Sequence, residues 1–237
     1  MYRLISYNLH SGIGRDGIQD YHRIGRFLAA QNADFVLLQE MDTRPQERGV
    51  NDDISAICAN GHFELIPGKT MTTAYGWYGN AILSRHPVLH RQQFDISVEN
   101  REPRTLQQVV VSANDHQISL LNAHLGLKKR ERAYQARCLY DAVSDIQQRF
   151  NIPACVGGDM NEWWPNTKIF KRLDKQYRQL DTGRTFPSQL PLIKLDRLWA
   201  SKRIIVSEVG RLRGAAFDHF SDHLPVQMDF DIALPEQ

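Results

Sequence analysis

The chain has 237 residues, 42% hydrophobic and 24% charged, enough for an ordinary packed core in one large domain or two small ones. Its net charge of +2 falls short of the strongly basic balance of a dedicated nucleic-acid binder, and neither demands nor excludes a polyanionic substrate. No uncharged apolar stretch approaches the roughly 20 residues needed to span a bilayer, so no transmembrane segment is expected.

Met1-Tyr2-Arg3 runs straight into strand-like Leu4-Ile5-Ser6-Tyr7, and no signal peptide is expected. Residues 3–8 alternate and end in Asn8, the pattern of a strand with a polar tip. Ser11 to Gly17 is a loop that lacks the spacing and the lysine of a P-loop. Asp20 is placed to cap a helix whose Tyr21, Ile24, Phe27 and Leu28 share one face, and Asn32-Ala33-Asp34 breaks it. Phe35 to Leu38 is a second buried strand with Gln39-Glu40 at its end. Strands are expected over 79–85, 106–112 and 117–123, then a helix over 129–148 with Ala136, Leu139, Val143 and Ile146 on one face. Further strands are expected over 154–158, 194–200, 203–209 and 225–231. Such a mixture points to an α/β fold of two sheets with helices outside them, not a simple doubly wound sheet. With no linker, low-complexity segment or solenoid-period repeat, residues 1–237 read as a single domain. Cys58, Cys138 and Cys155 form no CxxC pair; they read as reduced, mostly buried thiols, which favours a cytoplasmic location.

The stretch Gly157-Gly158-Asp159-Met160-Asn161 organises the chain. It follows the apolar run Ala154-Cys155-Val156, and two glycines are expected to let the backbone turn sharply. A carboxylate and a carboxamide then come on alternate residues, so both can point into a cleft beyond the strand's C-terminal end. A polar turn is the plainer reading of the stretch alone. The pattern recurs, however. Apolar strands end in Asn8, Glu40 and His124, Asp196 lies inside Leu195–Trp199, and Asp222-His223 precedes the last strand. Glu40, Asp159 and Asp222 can converge with Asn8 on a hard divalent cation, and such oxygen donors suit magnesium or manganese, not zinc. His219 and His223 are four apart but lack the helix and third ligand of a zinc site. A divalent cation and a cationic imidazole both stabilise the charge that grows on the leaving oxygen of a phosphodiester. A carboxylate beside histidine favours the charged ring, and Asp196 can serve His223 in this way. His124 reads either as catalytic or as a satisfied core histidine. Arg104 reads either as a phosphate ligand or as half of a surface salt bridge. The run Lys128-Lys129-Arg130 can guide a polyanion or simply begin a solvated helix.

Six segments together resemble the endonuclease/exonuclease/phosphatase superfamily. They are Ser6-Tyr7-Asn8, Leu38-Gln39-Glu40, Asn122-Ala123-His124-Leu125, Gly158-Asp159-Met160-Asn161, Leu195-Asp196-Arg197-Leu198 and Ser221-Asp222-His223-Leu224-Pro225, in the family's order. The resemblance implies a deoxyribonuclease-like four-layer α/β sandwich, with two packed mixed sheets flanked by helices. It implies Glu40 as principal metal ligand with Asn8 and Asp222 close by, and a magnesium or manganese cofactor. Asp159 would orient or deprotonate the attacking water, and Asn161 would hold that water or a phosphate oxygen. His223 would contact the scissile phosphate, oriented by Asp196. His124 matches the second histidine of the deoxyribonuclease and sphingomyelinase branches. The segments around Pro191-Leu192-Ile193-Lys194 and His124 do not resemble the AP-endonuclease branch. Compact bacterial members are most similar. The expected activity is metal-dependent hydrolysis of a phosphodiester or phosphomonoester by a monomer. Its substrate is left open among DNA or RNA, a lipid head group or phosphoinositide, and another small molecule. The alternative is a non-catalytic binding domain of the same fold.

Overall fold

Strand alternation sorts the apolar side chains into three cores and so fixes the layers. The structure, a computed structural model, describes residues 1–44 and 49–233. Strand β1 (Tyr2–Asn8) leads through a short 3-10 turn (His10–Gly12) to helix α1 (Tyr21–Ala30), β2 (Phe35–Asp42) and α2 (Val50–Ile57). Then come β3 (Glu64–Thr72), β4 (Trp77–Ser84), β5 (Val88–Asp95), β6 (Thr105–Ala113), β7 (His116–His124) and α3 (Lys129–Phe150). The chain closes with β8 (Ala154–Asp159), α4 (Leu173–Gln176), β9 (Arg178–Gln179), β10 (Asp196–Ala200), β11 (Ile204–Arg211) and β12 (Val226–Ile232).

The strands make two mixed six-stranded sheets, ordered β11-β12-β1-β2-β4-β3 and β5-β6-β7-β8-β10-β9. One parallel pair, β1 with β2 and β7 with β8, sits inside each otherwise antiparallel sheet. Leu4, Phe35 and Leu37 of the first sheet meet Val109, Leu120 and Leu198 of the second in the central core. On the next residue along, Ile5, Val36 and Leu38 face outward and bury Ile24 and Leu28 of α1. On the far side, Leu121 and Val156 pack on Ala136, Leu139, Val143 and Ile146 of α3. This is the expected four-layer sandwich. Asp20 caps α1 as expected, accepting from Arg23 N at 3.0 Å.

Two expectations are corrected. The glycines at 157 and 158 make no turn, because both lie within β8 and pair with Leu198 and Arg197. Their role is close approach. A Cβ on Gly157 would sit 2.5 Å from Leu198 Cδ2, and one on Gly158, at φ 135°, would run into the Ala123 carbonyl. Residues 64–72 and 88–95 form strands that the periodicity does not reveal. Both are edge strands, β3 carrying Pro67-Gly68 and β5 the exposed polar pair His90-Arg91.

Candidate active site

Strand register brings the polar tips together. His124 is level with Asp159 across the parallel β7–β8 pair, and Asp159 with Asp196 across the antiparallel β8–β10 pair. In the facing sheet Asn8 is level with Gln39, one residue before Glu40. Beneath these tips the sheets are clamped by Asn122, which accepts from Gln39 Nε2 at 2.7 Å and donates to Leu38 O at 2.8 Å and Ala81 O at 2.9 Å.

Backbone irregularity aims two of the side chains. The register of β2 against β4 shifts between Leu38 and Met41, and Glu40 within that bulge has φ 56°. A left-handed glutamate costs energy in isolation, and the bulge turns it out of the ladder. Asn161 has φ 46°, and its N–H returns to Asp159 Oδ1 at 2.8 Å. Its amide donates to Leu125 O at 2.8 Å and reaches His124 Nε2 at 3.1 Å.

Asp159 is buried at the centre. Asn8 Nδ2 donates to its Oδ2 at 3.0 Å and to Glu40 Oε1 at 2.9 Å, so one carboxamide bridges two carboxylates. His124 Nε2 lies 3.6 Å and His223 Nε2 3.7 Å from Asp159 Oδ2. His223 Nδ1 is 2.8 Å from Asp196 Oδ2, an oxygen that also accepts from Thr185 Oγ1.

The two histidines are driven to opposite charge states. Burial disfavours the cationic form of His223, but the carboxylates of Asp196 and Asp159 overcome it and raise its pKa to about 10. Burial, the Arg104 guanidinium and His223 itself hold His124 well below the usual histidine range. The Asn161 contact agrees, because Nδ2 donates to Nε2 at 3.1 Å and a cationic ring has no acceptor there. Burial pushes the Asp159 carboxyl up to about 6, against the pull of His223.

Glu40, Asp159 and His124 each offer a ligand atom, all within 4.8 Å of one another. Among the described residues no lysine or arginine pairs with Glu40 or Asp159, and the charged ring beside them is His223, 3.7 Å from Asp159 Oδ2. That donor set fits a divalent cation. His124 belongs to this group, a placement its sequence position does not disclose. Asn8 presents N–H, not oxygen, to the carboxylates, while its Oδ1 accepts from His10 N at 3.0 Å. Asp222 stands beside His223 at the rim, 3.8 Å from His10 Nδ1, and is not part of the close group.

Arg104 is buried, and Glu102 engages its fork at 2.9 and 3.0 Å. The pair runs from exposed Glu102 at the surface inward to buried Arg104, whose Nη1 lies 3.5 Å from His124 Nδ1. Lys128, Lys129 and Arg130 are exposed at the start of α3. Thr185, which fixes Asp196, is a residue that sequence reasoning missed. It sits in a loop with no motif of its own.

The profile of the Endonuclease/Exonuclease/phosphatase family matches residues 5–223. The uncharacterized protein YbhP of Escherichia coli (strain K12) is 30% identical over 173 residues, 70% of this chain and 67% of that protein. Similar solved structures include a mannosyl-6-phosphatase of Bacteroides thetaiotaomicron (TM-score 0.78, 17% identity, 98% of this chain and all, 100%, of that one). The human Nocturnin catalytic domain with bound sulfate is also similar (TM-score 0.76, 19% identity, 98% of this chain and 94% of that one). At such identities the structural likenesses speak for the fold.

Proposed function

The chain belongs to the endonuclease/exonuclease/phosphatase family, and from that premise we propose that it is a divalent-metal-dependent hydrolase of phosphoric esters. The observation that carries this reading is Asp159, a buried carboxylate set between a histidine held cationic and one held neutral. Titratable neighbours pushed apart in this way are the mark of an acid–base site. Glu40 would be the principal ligand of the cation, magnesium or manganese, with Asp159 and His124 within reach, and the ion would supply charge neutralisation to the phosphoryl oxygens.

The other roles follow from the protein's own groups. Asp159, with its pKa raised toward neutrality, is the base that orients the attacking water and takes its proton. Asn161, its Nδ2 engaged by Leu125 O and His124, offers Oδ1 to a hydrogen of that water. His223, kept charged and aimed by Asp196, donates a hydrogen bond to the phosphoryl oxygen as charge develops. His124, neutral and packed on Arg104, orients Asn161. The substrate class is a phosphodiester, with a phosphomonoester as the second possibility. Retention of Glu40, Asp159, Asn161, Asp196, Asp222 and His223 in one chain argues against a non-catalytic binding domain.

The test compares bis(p-nitrophenyl) phosphate with p-nitrophenyl phosphate for the wild type, Glu40→Gln and His223→Ala, each checked for fold by circular dichroism. The reading expects faster diester turnover by the wild type and losses of roughly 10²–10⁴-fold in both variants. Folded variants with near-normal rates would remove this site from the chemistry.

A further inference from the structure

Two indoles stand in solvent beside the site. Trp163 and Trp164 follow Asn161 by two and three residues and are 56% and 70% exposed, whereas Trp77 and Trp199 are buried. The loop that carries them is held firmly. Glu162 accepts from Trp164 N at 3.0 Å and from Arg132 Nε at 3.2 Å, and Arg197 Nη2 donates to Glu162 O at 3.1 Å. Large aromatic surface on a pinned loop is costly to leave in water and marks a binding surface.

The start of α3 joins this surface. Trp164, Pro165 and Ile169 line a cleft of about 610 Å³ together with Lys129 and Lys168, and Leu127, two residues before Lys129, is 66% exposed. Cations predominate on these two stretches, although exposed Glu99 and Glu102 share clefts with Lys128 and Arg130 and exposed Asp174 follows Arg172. Within residues 126–131 and 161–172 the exposed charged side chains are Lys128, Lys129, Arg130, Lys168, Lys171 and Arg172. The two acids of those stretches are buried and bonded inward, Glu131 to Lys128 N and Glu162 to Arg132. A chain of net charge +2 thus places Lys129 and Lys168 in the Trp164 cleft, with further exposed cations next to them in sequence.

We propose that this surface docks on an anionic phospholipid bilayer, with Trp163, Trp164 and Leu127 entering the interfacial layer and the cations meeting the head groups. Tryptophan favours the membrane–water interface, lysines and arginines near an anionic surface add to it, and stable attachment needs both signals. A nucleic-acid surface fits less well, since Leu127, Pro165 and Ile169 offer no face on which a base can stack. Docking stands apart from the hydrolytic reading and is measured without turnover, so either can fail alone.

The experiment is co-sedimentation with phosphatidylcholine vesicles, pure or with about one third phosphatidylglycerol. Tryptophan emission is recorded alongside. Wild-type protein should pellet with the anionic vesicles only, lose binding as salt rises, and show a blue-shifted emission from the two exposed indoles. Trp163→Ser/Trp164→Ser and, separately, Lys168→Glu/Lys171→Glu should each weaken partitioning by at least about tenfold. The charge-reversed variant decides the matter if the tryptophan variant does not fold. No wild-type pelleting, equal binding to pure phosphatidylcholine, or binding unaltered in a folded variant would overturn the proposal. So would a single-stranded oligonucleotide that quenches the indoles while vesicles leave them unchanged.

Discussion

Replacing Asp196 by asparagine keeps the shape of the site and removes one buried charge. Asp196 Oδ2 lies 2.8 Å from His223 Nδ1 and is shielded from solvent. Burial opposes the His223 charge, yet Asp196 and then Asp159 lift its pKa from 6.5 to about 10. The difference, 10 − 6.5 or about 3.5 pH units, is on the order of 5 kcal/mol in favour of the charged ring. Asp196 is the larger of the two lifting charges, so without it burial dominates and His223 should titrate at or below its ordinary value. In the wild type His223 stays an acid up to about 10, so turnover should hold up to alkaline pH. In Asp196→Asn the alkaline limb should move down to neutral pH or below, and the rate at about pH 7.5 should fall roughly 10²–10³-fold. The assay is the pH–rate profile, paired with an NMR titration of the His223 ring in EDTA. Linkage gives a further check. A raised histidine pKa contributes stability that is complete below 6.5 and is lost as pH rises through about 10, so the wild type should weaken over that interval and the variant should not. An alkaline limb that stays near 10 in the variant would refute this reasoning.

Asp159→Asn should lower turnover roughly 10²–10⁴-fold yet stabilise the metal-free fold. Its carboxyl is raised from 3.8 to about 6, so ionisation costs stability above that range, by at most about 3 kcal/mol. Melting in EDTA at about pH 8 should therefore rise by a few degrees, the gain fading as pH falls through 6; an unchanged or lower melting temperature counts against it. Gly158→Ala should cost about 2–4 kcal/mol in urea unfolding, because the new methyl meets the Ala123 carbonyl at a φ that alanine avoids. A variant as stable as wild type would dismiss the close-approach account. Binding of Asp159→Asn to a 20-base-pair duplex should show a log–log salt slope shallower than about −5, since net charge is low; a steeper slope would put nucleic acid first among substrates.

Much of the site was legible because its residues end apolar strands, and the reach of a strand end is short. Asn8, Glu40, His124 and Asp159 announce themselves as polar residues where apolar runs stop, Asp196 as a carboxylate inside one, and strand register then brings their strands level. What sequence could not convey is geometry that depends on a neighbour. The left-handed Glu40 is set by a register shift against β4, and neutral His124 by Arg104 and Asn161 packed around it. The glycines read as a turn because glycine permits one, whereas here it is the Leu198 side chain and the Ala123 carbonyl that exclude a Cβ. Edge strands β3 and β5 escaped notice because one flank is open to water and the alternation is blurred. Nothing in the sequence marks Trp163-Trp164 as exposed; that is a property of the loop that carries them.

The central claim is that Glu40 and Asp159 require a divalent cation for hydrolysis. It is tested most directly by stripping the wild-type protein with EDTA, measuring bis(p-nitrophenyl) phosphate turnover, and then adding back magnesium or manganese. The two facing carboxylates have no lysine or arginine partner among the described residues, so turnover should vanish in EDTA and return with either ion. Undiminished turnover after exhaustive EDTA treatment would contradict the account.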